Sequence, residues 1–416
     1  MKIAVLGSGV IGITTAYMLA KTGHKIILID KNSGTGQECS YSNGAQLSYC
    51  SAQPWANRGA LLKAIKWIGK TDAPLRFRFQ KDINMWLWLM GFIANCTPKK
   101  EQQNTKSILD LCLYSRDILH RYESDFDFNF DYSKGGKIFV FEDQASHASY
   151  IKQCQTQEIL GAPYQVLDKE ELFNYEPSLK HYGDNIYGAV RDPLDEAGDT
   201  YKFCLGLDKK LDELEAEKYY NTTITDFKLE NNKIKSVTTD KGEIEADLFV
   251  FSVGANSPLL SKKLGVKLPM YPLKGYSITT DIKNAEQSPN NSITFSKDRT
   301  VFSVLGDKLR VAGTAEFAGY NTSVDKGRID MLKNLCKKVY PNVGDIDAST
   351  EWACLRPCTA DGSPILGKTK IDNLIMNTGQ GSLGWTMAFS SAQIVSDIIN
   401  GKQLEINSKP YSIERY

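Results

Sequence analysis

The segment Gly7-Ser8-Gly9-Val10-Ile11-Gly12 constrains this chain more than any other. It follows an unbroken apolar run, Lys2 to Gly7, with Ile3, Ala4, Val5 and Leu6 at its centre. Such a run predicts a parallel strand buried on both faces. The segment leads into Val10 to Lys21, whose apolar spacing predicts a helix stopped at Gly23. Lys25 to Asp30 is a second apolar run, so the opening reads as a βαβ unit. The first glycine permits a tight turn, the second lets backbone approach a pyrophosphate, and the third lets helix and strand pack closely. Around Ser8, Val10 and Ile11 the helix start offers free N–H groups and the positive end of its dipole to phosphate oxygens. Asp30 closes the second strand, where a carboxylate accepts hydrogen bonds from ribose hydroxyls, and its charge disfavours a 2′-phosphate. The motif predicts a bound dinucleotide, and its spacing leaves NAD and FAD both open. The competing reading is a glycine turn with no ligand. The ordered strand, helix and acid argue against it.

The remaining sequence predicts mixed α/β structure. Residues 32–55, rich in Gly, Ser and Asn, read as loop, and 60–122 as largely helical. Lys137–Phe141 reads as a strand, with helices at Ala145–Leu160 and Ala197–Ala216. Short strands follow at 219–225, 227–230, 233–239 and 243–246, then the apolar run 248–253 ending at Gly254. The strands expected at 276–281, 292–296, 300–304 and 308–312 form an antiparallel meander. A helix at 328–339, a strand at 374–377 and a helix at 386–399 complete the reading. A net charge of +1 gives no footprint for nucleic acid. The 9 cysteines are scattered without a C-x-x-C pair, and the 4 histidines lack metal-ligand spacing. These features predict reduced thiols, no metal and a cytoplasmic protein. Glycines at 7, 9 and 12 interrupt the N-terminal apolar run and argue against a signal peptide.

Several segments carry a resemblance. They are Cys39-Ser40-Tyr41-Ser42-Asn43-Gly44-Ala45-Gln46-Leu47-Ser48, Pro54-Trp55-Ala56, Leu62-Lys63-Ala64-Ile65-Lys66-Trp67 and Tyr271-Pro272-Leu273-Lys274-Gly275-Tyr276-Ser277. Toward the end come Leu355-Arg356-Pro357, Thr359-Ala360-Asp361-Gly362-Ser363-Pro364 and Asn377-Thr378-Gly379-Gln380-Gly381-Ser382-Leu383-Gly384-Trp385-Thr386. In this order, end to end, the chain resembles the D-amino acid oxidase superfamily of flavoproteins. Within it, the bacterial D-amino acid dehydrogenase small subunits are the nearest match. The resemblance implies a Rossmann-like FAD-binding domain from 1–58, 195–262 and 350–416. It also implies a substrate domain from 59–194 and 263–349, built on a mainly antiparallel sheet. It implies FAD held by Gly7 to Gly12, Asp30, Lys31, Ser40, Ser42, Asn43, Gly44, Ala45, Gln46, Leu47, Ile224, Gly254, Gly379, Gly381, Leu383, Gly384, Trp385 and Thr386. One departure stands out: those dehydrogenases read Asn-Ala-Gly-Gln where this chain has Asn43-Gly44-Ala45-Gln46. A family glycine at positive φ would leave Ala45 strained.

The implied activity is oxidation of D-amino acids to 2-oxo acids and ammonia, with electrons passed to a quinone or other non-oxygen acceptor. Arg356 would grip the substrate carboxylate with its planar fork; its competing role is a structural ion pair. Tyr271 and Tyr276 are candidate substrate neighbours or simply core aromatics. Related sarcosine oxidases hold FAD covalently at a cysteine placed like Cys354, although non-covalent FAD is the expectation here. Residues 81–100 set Met85-Trp86-Leu87-Trp88-Leu89-Met90 between lysines, too short to span a bilayer but suited to its inner surface, or else to the core. Competing functions are a flavin enzyme for glycine, sarcosine, proline or hydroxyproline, and a flavin-binding subunit without turnover.

Overall fold

Two sheets organise the chain in a computed structural model that describes all residues except 52, 58, 60–68 and 70–72. The first has six strands in the order Ile365–Lys368, Leu374–Thr378, Leu248–Phe251, Lys2–Leu6, Lys25–Ile29, Glu217–Tyr219. Lys2–Leu6 lies at its centre, parallel to both neighbours, with Ile3 opposite Leu248 and Ile26. Its unbroken apolar run follows from burial on both faces. Ile3 and Val5 meet the helices Val10–Lys21, Thr200–Glu213 and Ala388–Asn400. Ala4 and Leu6 face a three-stranded antiparallel ribbon, Ile224–Glu230, Lys233–Thr239 and Gly242–Glu245. Asn373 ties ribbon to sheet: its side chain accepts from the Ile234 amide (2.8 Å) and donates to the Ile234 carbonyl (2.9 Å).

The second sheet has nine strands among the described residues. Its main path runs Thr350–Thr359, Met270–Asp281, Lys308–Phe317, Thr300–Leu305, Ser292–Phe295, Lys137–Phe141, Gly188–Asp192, Gln165–Leu167. Leu75–Phe77 pairs in parallel onto Lys308–Phe317. The sheet is mainly antiparallel, with a second parallel junction between Ser292–Phe295 and Lys137–Phe141. Helix Lys326–Val339 packs on one face, burying Ile329, Leu332 and Cys336.

Several elements differ from the sequence expectation. Thr350–Thr359 is a ten-residue strand not foreseen, and it belongs to the second sheet. On sheet pairing, residues 350–359 thus go with the second sheet. Pro357 masks this strand in the sequence, yet proline is tolerated because the strand is at the sheet edge. The partner strand begins at Met270, six residues before the expected start at 276. The expected strand 219–225 is divided. Glu217–Tyr219 joins the parallel sheet, and Ile224–Glu230 runs on through the expected break at 226. The helix expected from Ala197 starts at Thr200, because Asp199 caps it by accepting from the amides of Tyr201 (2.8 Å) and Lys202 (3.0 Å). Within the stretch expected as helix over 60–122, Leu75–Phe77 is a strand, and helices cover Ile83–Asn95 and Pro98–Tyr122. Residues 62–67 of the quoted resemblance lie outside the described residues.

Candidate functional site

The C-terminal ends of the parallel strands open onto a cavity of about 1530 Å³ that continues to the second sheet. A site for one small ligand usually spans roughly 300–1,000 Å³, so this space suits a dinucleotide together with a small substrate. Gly7, Gly9, Val10 and Ile11 line it at the start of the first helix. Gly12 lies behind them, where a Cβ would sit 1.9 Å from the Gly7 carbonyl oxygen; only glycine lets this helix lie so near the strand. Asp30 and Lys31 line the same end. Asp30 Oδ2 accepts from the Ser8 amide (2.7 Å) and hydroxyl (2.8 Å), while Oδ1 accepts from the Asn32 amide (2.9 Å). The carboxylate is thereby fixed at the cavity edge. Ser252 ends the neighbouring strand, lines the cavity and has a buried hydroxyl with no partner among the described residues. Of the amides expected to be free at the helix start, Ser8 donates to Asp30 and Val10 to Ser40 Oγ (2.9 Å), which leaves those of Gly9 and Ile11; with the orphaned hydroxyl they fit a phosphate-bearing cofactor.

The loop 39–48 crosses between the sheets. Ser40, Ser42, Asn43, Gly44, Ala45 and Gln46 all line the cavity. Ser42 and Ser277 hydroxyls hydrogen-bond at 3.0 Å, and Gln46 Nε2 donates to Ser292 Oγ (2.7 Å), so both ends of the loop rest on the second sheet. Ala45 is buried with φ +59°. The Asn43 side chain accepts from its amide (2.9 Å) and Gly198 donates to its carbonyl (2.9 Å), which hold the left-handed turn although the residue is alanine. Ile224, Gly254, Gly381, Leu383, Gly384 and Trp385 complete the lining. Ser8, Leu47, Gly379 and Thr386 stand behind the wall. Thr386 Oγ1 there accepts from the Ser48 amide (2.9 Å).

Arg356 lines the other end, half-buried on strand Thr350–Thr359. Its guanidinium lies across Gly275, where a Cβ would come within 2.6 Å of Nη2. It has no ion pair or hydrogen bond among the described residues. The two tyrosines are placed differently. Tyr271 packs in the core against Trp88 and Phe317 and is not part of the cavity wall. Tyr276 reaches the wall, but its hydroxyl donates to the buried Glu316 Oε1 (2.8 Å); burial and that carboxylate push the phenol above its ordinary range. Cys354 also lines the cavity. The neighbouring Cys39 thiol, which itself donates to the Leu355 carbonyl (2.9 Å), and the Arg356 charge hold the Cys354 thiol below its ordinary range against the effect of burial.

Sequence reasoning did not find Thr314, Ser252 or Glu316. Thr314 lines the cavity at φ +49°, an outlier for a β-branched residue. It is the extra residue of a bulge, since Gly275 pairs with Ala315 while Tyr276 pairs with Gly313. The glycines at 275 and 313 were the available signal, because isolated strand glycines mark bulges and close approaches.

Ala45→Gly is expected to stabilise the fold by about 1 kcal/mol, because it removes a left-handed alanine. Gly44→Ala adds a Cβ at ordinary contact, 3.7 Å from Ala312 Cβ, so the double swap should also melt higher than the parent. A lower melting temperature for both variants would contradict the strain.

Residues 2–398 match the family described as FAD dependent oxidoreductase (DAO). Two D-amino acid dehydrogenases are similar over the whole of this chain and of their own: 38% identical in Rhizobium rhizogenes and 36% in Rhizobium johnstonii. The fold is similar to a crystal structure of glycine oxidase from Geobacillus kaustophilus, with TM-score 0.79 and 19% identity, covering 100% of this chain and 98% of that one. The chain belongs to the DAO family of FAD-dependent oxidoreductases.

Proposed function

We propose that this chain oxidises D-amino acids to 2-oxo acids and ammonia, passing electrons to a quinone or another non-oxygen acceptor. The observation that carries this reading is the guanidinium of Arg356, unpaired among the described residues and seated over Gly275 at the cavity's far end. A fork held flat and lacking a protein carboxylate suits a substrate carboxylate, gripped through two parallel hydrogen bonds. The full-length similarity to D-amino acid dehydrogenases supports the choice of substrate and acceptor. FAD, when bound, supplies the two-electron acceptor. We assign its phosphates to the amides of Gly9 and Ile11 beside Ser40, its ribose to Asp30, and its remaining length to the 39–48 loop and the Gly381–Trp385 turn. Arg356 anchors the carboxylate and so fixes the direction of the Cα–H bond. With the substrate amine neutral, the Cα hydrogen would leave as hydride to the bound flavin while the amine lone pair forms the C=N bond, so no side chain is needed to take a proton from Cα. Water then hydrolyses the imine.

We take the FAD to be non-covalent, since Cys354 is a free thiol and a free cysteine is usually just a small buried residue. The helix Ile83–Asn95 supports a contact with the membrane surface, where quinone is found. Ile83, Trp86, Leu87, Met90 and Ile93 are exposed along it, Phe79 stacks on Trp86 at 5.8 Å, and Lys81, Lys99 and Lys100 flank it. Such a face suits anionic lipid. Among the described residues no helix is long and apolar enough to cross a membrane.

Arg356→Ala should lower kcat/KM with a D-amino acid and an artificial quinone by roughly 10²–10³, and Arg356→Lys by less, because Lys keeps charge without the fork. Unchanged kinetics in both variants would refute the anchor. Acid precipitation should release all yellow colour into solution; colour kept in the pellet would show a covalent bond. The protein should sediment with vesicles containing anionic lipid, and Trp86→Glu should weaken this. Equal sedimentation of variant and parent would overturn the membrane contact.

A further inference from the structure

The carboxylate anchor stands on one face of the second sheet; toward the 39–48 loop that face is polar, with Ser277 bonded to Ser42, whereas the patch around Gly275 on the other side is apolar. Leu273 lies directly opposite Arg356. Gly275, beneath the guanidinium, pairs with Ala315, and Ala315 and Phe317 pair with Leu75 and Phe77. Residues opposite one another, or two apart on a strand, share a face. Arg356 is therefore bordered by Leu273, Ala315, Phe317, Leu75 and Phe77. Phe77 and Phe317 stack with centroids 5.2 Å apart.

Helix Ile83–Asn95 closes over this face. The Trp88 indole donates to the Cys358 carbonyl (2.9 Å), two residues beyond Arg356, and the ring packs on Phe317 and Phe92 at 5.2 and 5.3 Å. Trp88 and Phe317 are buried by these contacts. Trp55, Leu75, Phe77, Leu89 and Phe92 are not: each stays half-buried and lines the cavity. These five side chains carry no charge. The nearest charged lining residue in sequence, Glu101, is acidic and sits in the first turn of the following helix.

We infer that this wall receives the substrate side chain and selects D-amino acids with large apolar side chains, aromatic rings included. An apolar side chain bound there removes water from its own surface and from the wall's. An acidic or basic side chain would lose hydration there with no charged partner among the five described wall residues. Small substrates such as D-alanine leave the wall uncovered. The inference rests on the proposed D-amino acid oxidation and adds its specificity.

The test is kcat/KM for the holoenzyme with an artificial quinone over D-phenylalanine, D-leucine, D-methionine, D-alanine, D-aspartate and D-lysine. D-Phenylalanine and D-leucine should exceed D-alanine by roughly tenfold or more, and the charged substrates should fall below D-alanine. Phe92→Ala should cut the D-phenylalanine to D-alanine ratio by about tenfold. Leu89→Lys should raise the D-aspartate to D-alanine ratio, a gain that a damaged fold would not produce. Equal rates for D-alanine, D-aspartate and D-phenylalanine, or ratios unmoved in both variants, would overturn this inference alone. A holoenzyme oxidising no D-amino acid would overturn the proposed function along with it.

Discussion

The seat of Arg356 on Gly275 is the contact on which the rest of the site depends. A guanidinium held flat needs a surface without a Cβ, and Gly275 supplies it beneath Arg356. The strand bearing Arg356 pairs with Met270–Asp281 over ten consecutive positions, so the cation is carried on rigid structure rather than a loop. That strand in turn pairs with Lys308–Phe317, where the bulge at Thr314 shifts the register beside Gly275. The strain at Thr314 and its unpartnered hydroxyl therefore sit at the cavity wall, where local strain is tolerated because surrounding structure holds it.

The opposite end of the cavity depends on joining the two ends of the chain. Asn377 Nδ2 donates to Thr15 Oγ1 (2.9 Å), and Gln380 Nε2 donates to Asn377 Oδ1 (2.7 Å). These buried bonds lock the C-terminal glycine turn onto the first helix. The glycine fingerprint and the Gly381–Trp385 turn thus line one cavity. The loop 39–48 reaches from this sheet to the other, which explains why the conformation of Ala45 is worth its strain. Its carbonyl and amide are both engaged, so relaxing the turn would break two hydrogen bonds.

The βαβ opening was legible in the sequence because a strand buried on both faces is written as an unbroken apolar run. The family resemblance directed attention to Ala45, and the positive φ found there follows from a glycine displaced by one position. Thr350–Thr359 was not legible: Arg356 and Pro357 interrupt its pattern, and its pairing is set by a strand some eighty residues earlier. The tyrosines show the limit of reading roles from neighbourhood. Tyr271 and Tyr276 share a motif, yet one packs under Trp88 and the other is held by Glu316, whose carboxylate comes from a different strand. The apolar wall was invisible for a similar reason, since its members come from five separate segments that only the folded sheet, the helix above it and the loop at Trp55 bring together.

The central claim is that the cavity orients a D-amino acid by its carboxylate for two-electron oxidation. Anaerobic titration of the flavin absorbance with matched D- and L-enantiomers tests it most directly. The account predicts full bleaching by the D-enantiomer of an apolar amino acid and little by the L-enantiomer. A flavin that stays oxidised with every D-amino acid, or is bleached equally by both enantiomers, would contradict it.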